Sequence, residues 1–217
     1  MPGAFLGNFV LATRPRPPGK FGEELPLISP TEILSREHAI IERVMIAMES
    51  MIVRLVDDPG IDVFPINHAA IMINEFGALH HMVDEEQFLF PKFREAGVAV
   101  PLVDTLQAQH DGGRRMIGRI IELTRERHID DLGQVNELAD LCMSFIIMYR
   151  AHAAWEETMA FPAFYDVVPQ NYVDNIGMRM RDEERGIMSD PGLRKLMDNL
   201  RQIEEAAGTA DLTHFIP

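Results

Sequence analysis

The chain has 217 residues, 47% of them hydrophobic, enough for one domain with a sizeable core. Its formal charge of −14 and pI near 4.9 argue against nucleic acid and anionic membrane as partners, because both would repel such a surface. A single cysteine, Cys142, excludes an intrachain disulfide and a thiolate metal cage, and its apolar surroundings mark it as a small core residue.

Residues 1–28 are rich in proline and glycine, which suits an extended arm and not a helix. Their positive charges follow the apolar stretch, the wrong order for a signal peptide, and no run of eighteen apolar residues occurs, so a cytoplasmic protein is expected. Ser29-Pro30-Thr31-Glu32 combines an N-cap, a proline at the first helical position and a capping-box glutamate. The helix predicted to start there carries Ile33, Leu34, Ile40, Ile41, Val44, Met45, Met48, Ile52 and Leu55 at helical spacing and breaks at Asp57-Asp58-Pro59-Gly60. A second helix is expected from about Pro65 through Ile71, Ile73, Phe76, Leu79 and Met82 to about Pro91, with Gly97 as terminator. A third runs from Pro101 and fades at Arg125–His128, and a fourth opens with a second capping-box pattern at Asp131–Gln134 and passes Trp155 towards Pro162. The spacing predicts two weaker helices, 171–187 and 191–207, packed outside the others. The pattern defines an all-α protein: a four-helix bundle running up-down-up-down with antiparallel neighbours over 29–166, and extra C-terminal helices over 167–217.

The second and fourth helices repeat one another. His81-x-x-x-Glu85-Glu86-x-x-x-Phe90-Pro91 recurs 71 residues later as His152-x-x-x-Glu156-Glu157-x-x-x-Phe161-Pro162, and His38 in the first helix recurs 72 later as His110 in the third. Two helix hairpins related by a pseudo-twofold axis would produce this. Residues four apart share a helix face, so His81 acts with Glu85 and His152 with Glu156. His38 and His110 each lie nine residues past their helix starts, and His81 and His152 each precede a proline by ten. In such a bundle all four fall at one level, roughly 14 Å from the same end.

A lone histidine, or one His-x-x-x-Glu pair, is ordinarily a satisfied core group or a helix ion pair. Two copies with matching tails and two more histidines at the same depth favour a metal site. Four imidazoles and two carboxylates suit a transition metal better than calcium or magnesium, with both carboxylates bridging two ions. Zinc also accepts this donor set, while carboxylate-bridged pairs in bundles favour iron or manganese.

Leu34–His38, His81–Pro91, Gln109–Arg114, Tyr149–Thr158 and Phe161-Pro162 together resemble the hemerythrin-like, or HHE cation-binding, family of the bacterial type. The resemblance implies two non-haem irons with an oxo or hydroxo bridge, His38, His81, His110 and His152 as terminal ligands, and Glu85 and Glu156 as bridges. It implies binding or sensing of oxygen, nitric oxide or a related small ligand. Alternatives are a peroxidase, catalase-like or nitric-oxide-reducing enzyme, and iron storage. The redox partner is open, and a homodimer is compatible.

Oxygen carriers of this family have a fifth histidine one turn after the third-helix ligand. Here that position is Arg114, which argues against simple carriage and for open positions on both irons. Glu42 is read as a surface glutamate, and His80 as a packing or supporting group. Tyr149 is a core residue or a hydrogen-bond donor to the site. Glu86 and Glu157 either bind the outer histidine nitrogens or face solvent. His68, His128 and His214 lack the required depth.

Overall fold

The computed structural model describes residues 29–187 and 190–215, so the arm expected over 1–28 lies outside the described residues. Six helices and a closing 3-10 turn, with no strand, make up the described residues. Helix α1 is Pro30–Asp57, α2 spans 64–96, α3 is Val100–Leu123, α4 spans 132–167, α5 is Gln170–Ile187 and α6 is Asp190–Ala207. The first four pack in a ring: α1 on α2, α2 on α3, α3 on α4, and α4 back on α1.

The start of α1 follows the sequence pattern. The Ser29 hydroxyl accepts the backbone N–H of Glu32, and the Glu32 carboxylate accepts that of Ser29, so two otherwise unmatched donors are satisfied reciprocally. At α4 the cap takes a different form, because Asp131 reaches the N–H of Gly133 at 2.6 Å, one residue before the box position.

Pro91 and Pro162 do not end their helices, as the sequence pattern suggested. Each is preceded by a π-helical stretch, Glu85–Leu89 in α2 and Glu156–Ala160 in α4. The wider π turn resets the hydrogen-bond register, so each proline falls in the first turn of a fresh α segment, Phe90–Ala96 or Phe161–Val167, where its missing N–H is not needed. A further π stretch, Ile73–His81, has no counterpart in α4. It shifts the helical phase, and Leu79, expected on the apolar face, is 64% exposed. Trp155 of the fourth helix is likewise turned outward, 55% exposed. Helix α2 ends at Gly97, whose φ of 67° is the left-handed conformation that glycine adopts without steric cost.

The core is divided into two apolar clusters. One contains Ile41 to Leu55, Ile66 to Phe76, Ile117, Ile120, Leu138 to Tyr149, and Leu200, Ile203 and Ala207 of α6. The other contains Ile33, Leu34, Phe88 to Phe93, Val103, Leu106, Phe161, Phe164 and residues of α5. In each of the first four helices the chain passes from one cluster to the other across a buried polar step: His38 in α1, His81 and Glu85 in α2, His110 in α3, His152 and Glu156 in α4. Helix α6 lies against α1 and α2, held by Arg43 to Glu204 at 2.8 Å and by Ser50 and Arg54 donating to the carbonyls of Ala207 and Ala206.

Cys142 is fully buried, and burial alone pushes its thiol up to about 12. Native protein at pH 8 is therefore expected to resist alkylation for hours and to react at once in denaturant. Rapid labelling of the native protein would contradict this packing.

Candidate metal centre

The buried polar layer is a closed cluster. His38, His81, Glu85 and Glu156 each bring one donor atom within 4.8 Å of the others, and Glu85, His110, His152 and Glu156 do the same. The two sets share the two carboxylates. All six residues named from the sequence therefore come together, none more than 7% exposed.

Tautomers follow from the outer contacts. His38 Nδ1 lies 2.9 Å from Glu157, His81 Nδ1 2.8 Å from Glu37, His110 Nδ1 2.8 Å from Glu86, and His152 Nδ1 3.0 Å from the side-chain amide oxygen of Gln109. Carboxylates and amide oxygens only accept, so each Nδ1 carries the proton and each Nε2 turns a lone pair inward. There His38 Nε2 lies 3.3 Å from Glu156, His81 Nε2 3.5 Å from Glu85, His110 Nε2 3.2 Å from Glu85, and His152 Nε2 3.2 Å from Glu156.

The inner atoms fit a cation. His38 Nε2, His81 Nε2 and both oxygens of Glu85 and Glu156 are buried without a hydrogen-bond partner. The Nε2 atoms of His110 and His152 face each other at 3.1 Å, and two such lone pairs need a proton or cation between them. Buried polar atoms left without partners cost free energy, so a cluster of this kind is built for a ligand and not for stability.

The charges point the same way. Burial works against a protonated His38, but Glu156 and Glu157 outweigh it and raise its pKa to about 10, so the inner position of His38 Nε2 draws positive charge and a proton competes there with a metal ion. Burial and the charge of Glu156 push Glu85 up, whereas His152 and His38 hold Glu156 down in spite of its burial. Burial opposes the charge on Glu37 as well, yet hydrogen bonds from His80 and His81 bring it down to about 2, so it stays a carboxylate.

Two supporting residues were not read from the sequence. Glu37 and Gln109 anchor His81 and His152, and they directly precede His38 and His110, so they share the 72-residue repeat that could have revealed them. The phenylalanines of the repeated tails also have a function, with Phe161 stacked on His38 at 5.6 Å and Phe90 on His110 at 5.3 Å. The carboxylates that follow the shared pair, Glu86 and Glu157, bind outer histidine nitrogens and do not simply face solvent.

His80 donates to Glu37 at 2.9 Å and so supports the site indirectly. Glu42 pairs with Arg150 on the surface. Arg114 pairs with Glu86 at 2.8 Å, outside the two donor sets. Tyr149 is 2% exposed, with its ring near those of His38 and His152, and its hydroxyl has no hydrogen-bond partner among the described residues. Burial and then the charges of Glu85 and Glu156 hold its pKa well above 10, so it remains a neutral donor. His68 packs on Phe64, and His128 Nδ1 lies 3.2 Å from the Gly60 carbonyl, both outside the donor sets. The side chain of His214 lies outside the described residues.

The helices and this donor cluster define an all-helical protein with a buried layer of donors suited to a metal ion. The hemerythrin HHE cation binding domain matches residues 29–164, and the chain belongs to that family. Among curated proteins the chain is 29% identical over 195 residues to an uncharacterized protein of Mycobacterium bovis and to uncharacterized proteins of two Mycobacterium tuberculosis strains. Each match covers 90% of this chain and 76% of the relative. No solved structure matches. Among the described residues no helix is long and apolar enough to cross a membrane.

Proposed function

We propose that the chain is a non-haem di-iron protein that binds or senses oxygen, nitric oxide or a related small ligand. On this reading the first four helices form an up-down-up-down bundle over 29–166, extended by α5 and α6. The observation that carries it is the pair of donor sets sharing Glu85 and Glu156, with inner atoms otherwise unpartnered. His38 and His81 would hold one ion, His110 and His152 the other, and the two carboxylates would bridge. When bound, iron supplies reversible electron transfer and open coordination positions.

The chain's own residues define what can reach that centre. Donors no more than 7% exposed admit only a small ligand. Phe90 and Phe161 cover one side of the layer and Tyr149 the other, excluding bulk water and offering one neutral O–H to a ligand. The outer hydrogen bonds fix each imidazole, so little reorganisation accompanies binding.

Purified protein is expected to contain two irons per chain and to show an absorption band that is lost on reduction and returns in air. Metal content below one ion per chain after anaerobic reconstitution would sink the reading. Chelation should also lower the melting temperature. Excess metal at about a thousandfold its Kd adds about 4 kcal/mol, or roughly 8–16 °C for a chain of this size.

A second reading, peroxide or nitric-oxide turnover, is favoured by Arg114. Its guanidinium is committed to Glu86, so the position of the carrier's fifth histidine supplies no donor to either set. Peroxide consumption no faster than that of an equal amount of free iron would rule this reading out.

A further inference from the structure

The two halves of the centre differ in the groups behind their histidines. Behind His38 stands Glu157, whose second oxygen accepts only from the neutral Ser35 hydroxyl among the described residues. Behind His81 stands the buried carboxylate of Glu37, whose other oxygen accepts from His80 at 2.9 Å. Both imidazoles of this half thus donate to carboxylate oxygens, neither of them paired with a guanidinium among the described residues.

The other half is weaker on both counts. The Glu86 oxygen that accepts from His110 also accepts from Gln107 at 2.9 Å and lies 2.8 Å from the Arg114 guanidinium, which neutralises it. Behind His152 stands Gln109, a neutral amide. An imidazole that donates to a carboxylate is a stronger base at its other nitrogen than one that donates to an amide, and such outer partners change metal affinity about 10–100-fold.

We propose that the two metal positions are unequal and fill in order, with His38 and His81 taking the first divalent transition ion and His110 and His152 the second. The first position also favours the more highly charged oxidation state, and the second releases its ion first and is reduced first. Gln109 and Arg114 are the residues that set the difference, acting through His152 and Glu86. This rests on reading the cluster as a two-ion centre.

Full-length protein freed of metal and titrated anaerobically with cobalt(II), followed by its visible absorption and by calorimetry, provides the test. Two steps are expected, separated about 10–100-fold in Kd. Gln109→Glu should tighten the second step alone and narrow the gap. Glu37→Gln should weaken the first, and Arg114→Gln, which frees Glu86, should tighten the second. Melting curves of the metal-free variants identify any that fail to fold, and the wild-type titration stands independently of them.

Two ions binding with equal constants in the wild type would overturn the inequality and leave the two-ion reading intact. Two steps left unmoved by Gln109→Glu and Arg114→Gln would overturn the assignment of its cause. Failure to bind any ion would remove the two-ion reading and this inference together.

Discussion

Glu85→Gln is expected to reduce bound metal from two ions per chain to one or none while leaving the metal-free fold as stable as before, or more so. Glu85 belongs to both donor sets, so on the proposed two-ion reading the amide would remove a charged oxygen from each ion, and affinity should fall by more than about 100-fold. Without metal the same substitution relieves a burden. Glu85 and Glu156 are both fully buried with oxygens within 4.8 Å, and the like charge of Glu156, with burial, is what pushes Glu85 up. The amide keeps the volume and carries no charge, so the metal-free variant should gain between zero and about 2 kcal/mol, the mark of a group kept for function. Metal analysis and paired melting curves measure both quantities. Glu42→Gln, which touches only the surface pair with Arg150, should change neither. A Glu85→Gln protein that still carries two ions would show that the carboxylate is not shared.

Phe145→Ala should do the reverse, lowering stability without removing either ion. Phe145 is fully buried, stacks on Tyr149 at 6.0 Å, and fills the close approach of α3 to α4. A Cβ on Gly113 would lie 3.4 Å from its ring and 3.3 Å from Met148, so the surroundings are already tight. Truncation opens a cavity and removes transfer energy, about 3–5 kcal/mol. Chemical denaturation of the metal-free protein gives that number directly. Because the cavity lies beneath Tyr149 and not among the donors, the variant should still bind two ions, with weaker affinity as the layer loosens. A loss under about 1 kcal/mol would mean that the site can collapse and that this packing is not rigid.

The contrast between these variants marks how the molecule is divided. Apolar clusters on either side of the polar layer supply the folding energy, and the layer gives up some of it to hold six donors at one depth. Glu37, Gln109, Glu86 and Glu157 limit that cost by giving every histidine a hydrogen bond on its outer face.

Much of this was legible in the chain itself. Helix starts such as Ser29–Glu32 are local hydrogen-bond patterns, and the repeat carrying His81, Glu85, His152 and Glu156 needs only helical periodicity to put each pair on one face. Equal depth for His38 and His110 followed from counting residues against a fixed rise per residue.

Tertiary structure decided the rest. The continuation of α2 and α4 through Pro91 and Pro162, and the outward turn of Leu79, depend on π stretches that no spacing rule announces, because a wider turn is kept only where packing and a site offset its cost. Which carboxylate stands behind which imidazole was equally hidden. Glu37 supports not its neighbour His38 but His81 on the next helix, a pairing set by how side chains cross between helices. The sequence determined that six donors would meet at one level with Glu85 and Glu156 between the two halves; only the fold decided that Arg114 turns away to Glu86, that Glu157 and Glu37 stand behind His38 and His81, and that Glu86 and the amide of Gln109 stand behind His110 and His152. Periodicity is a property of one helix, whereas these contacts belong to the spaces between helices.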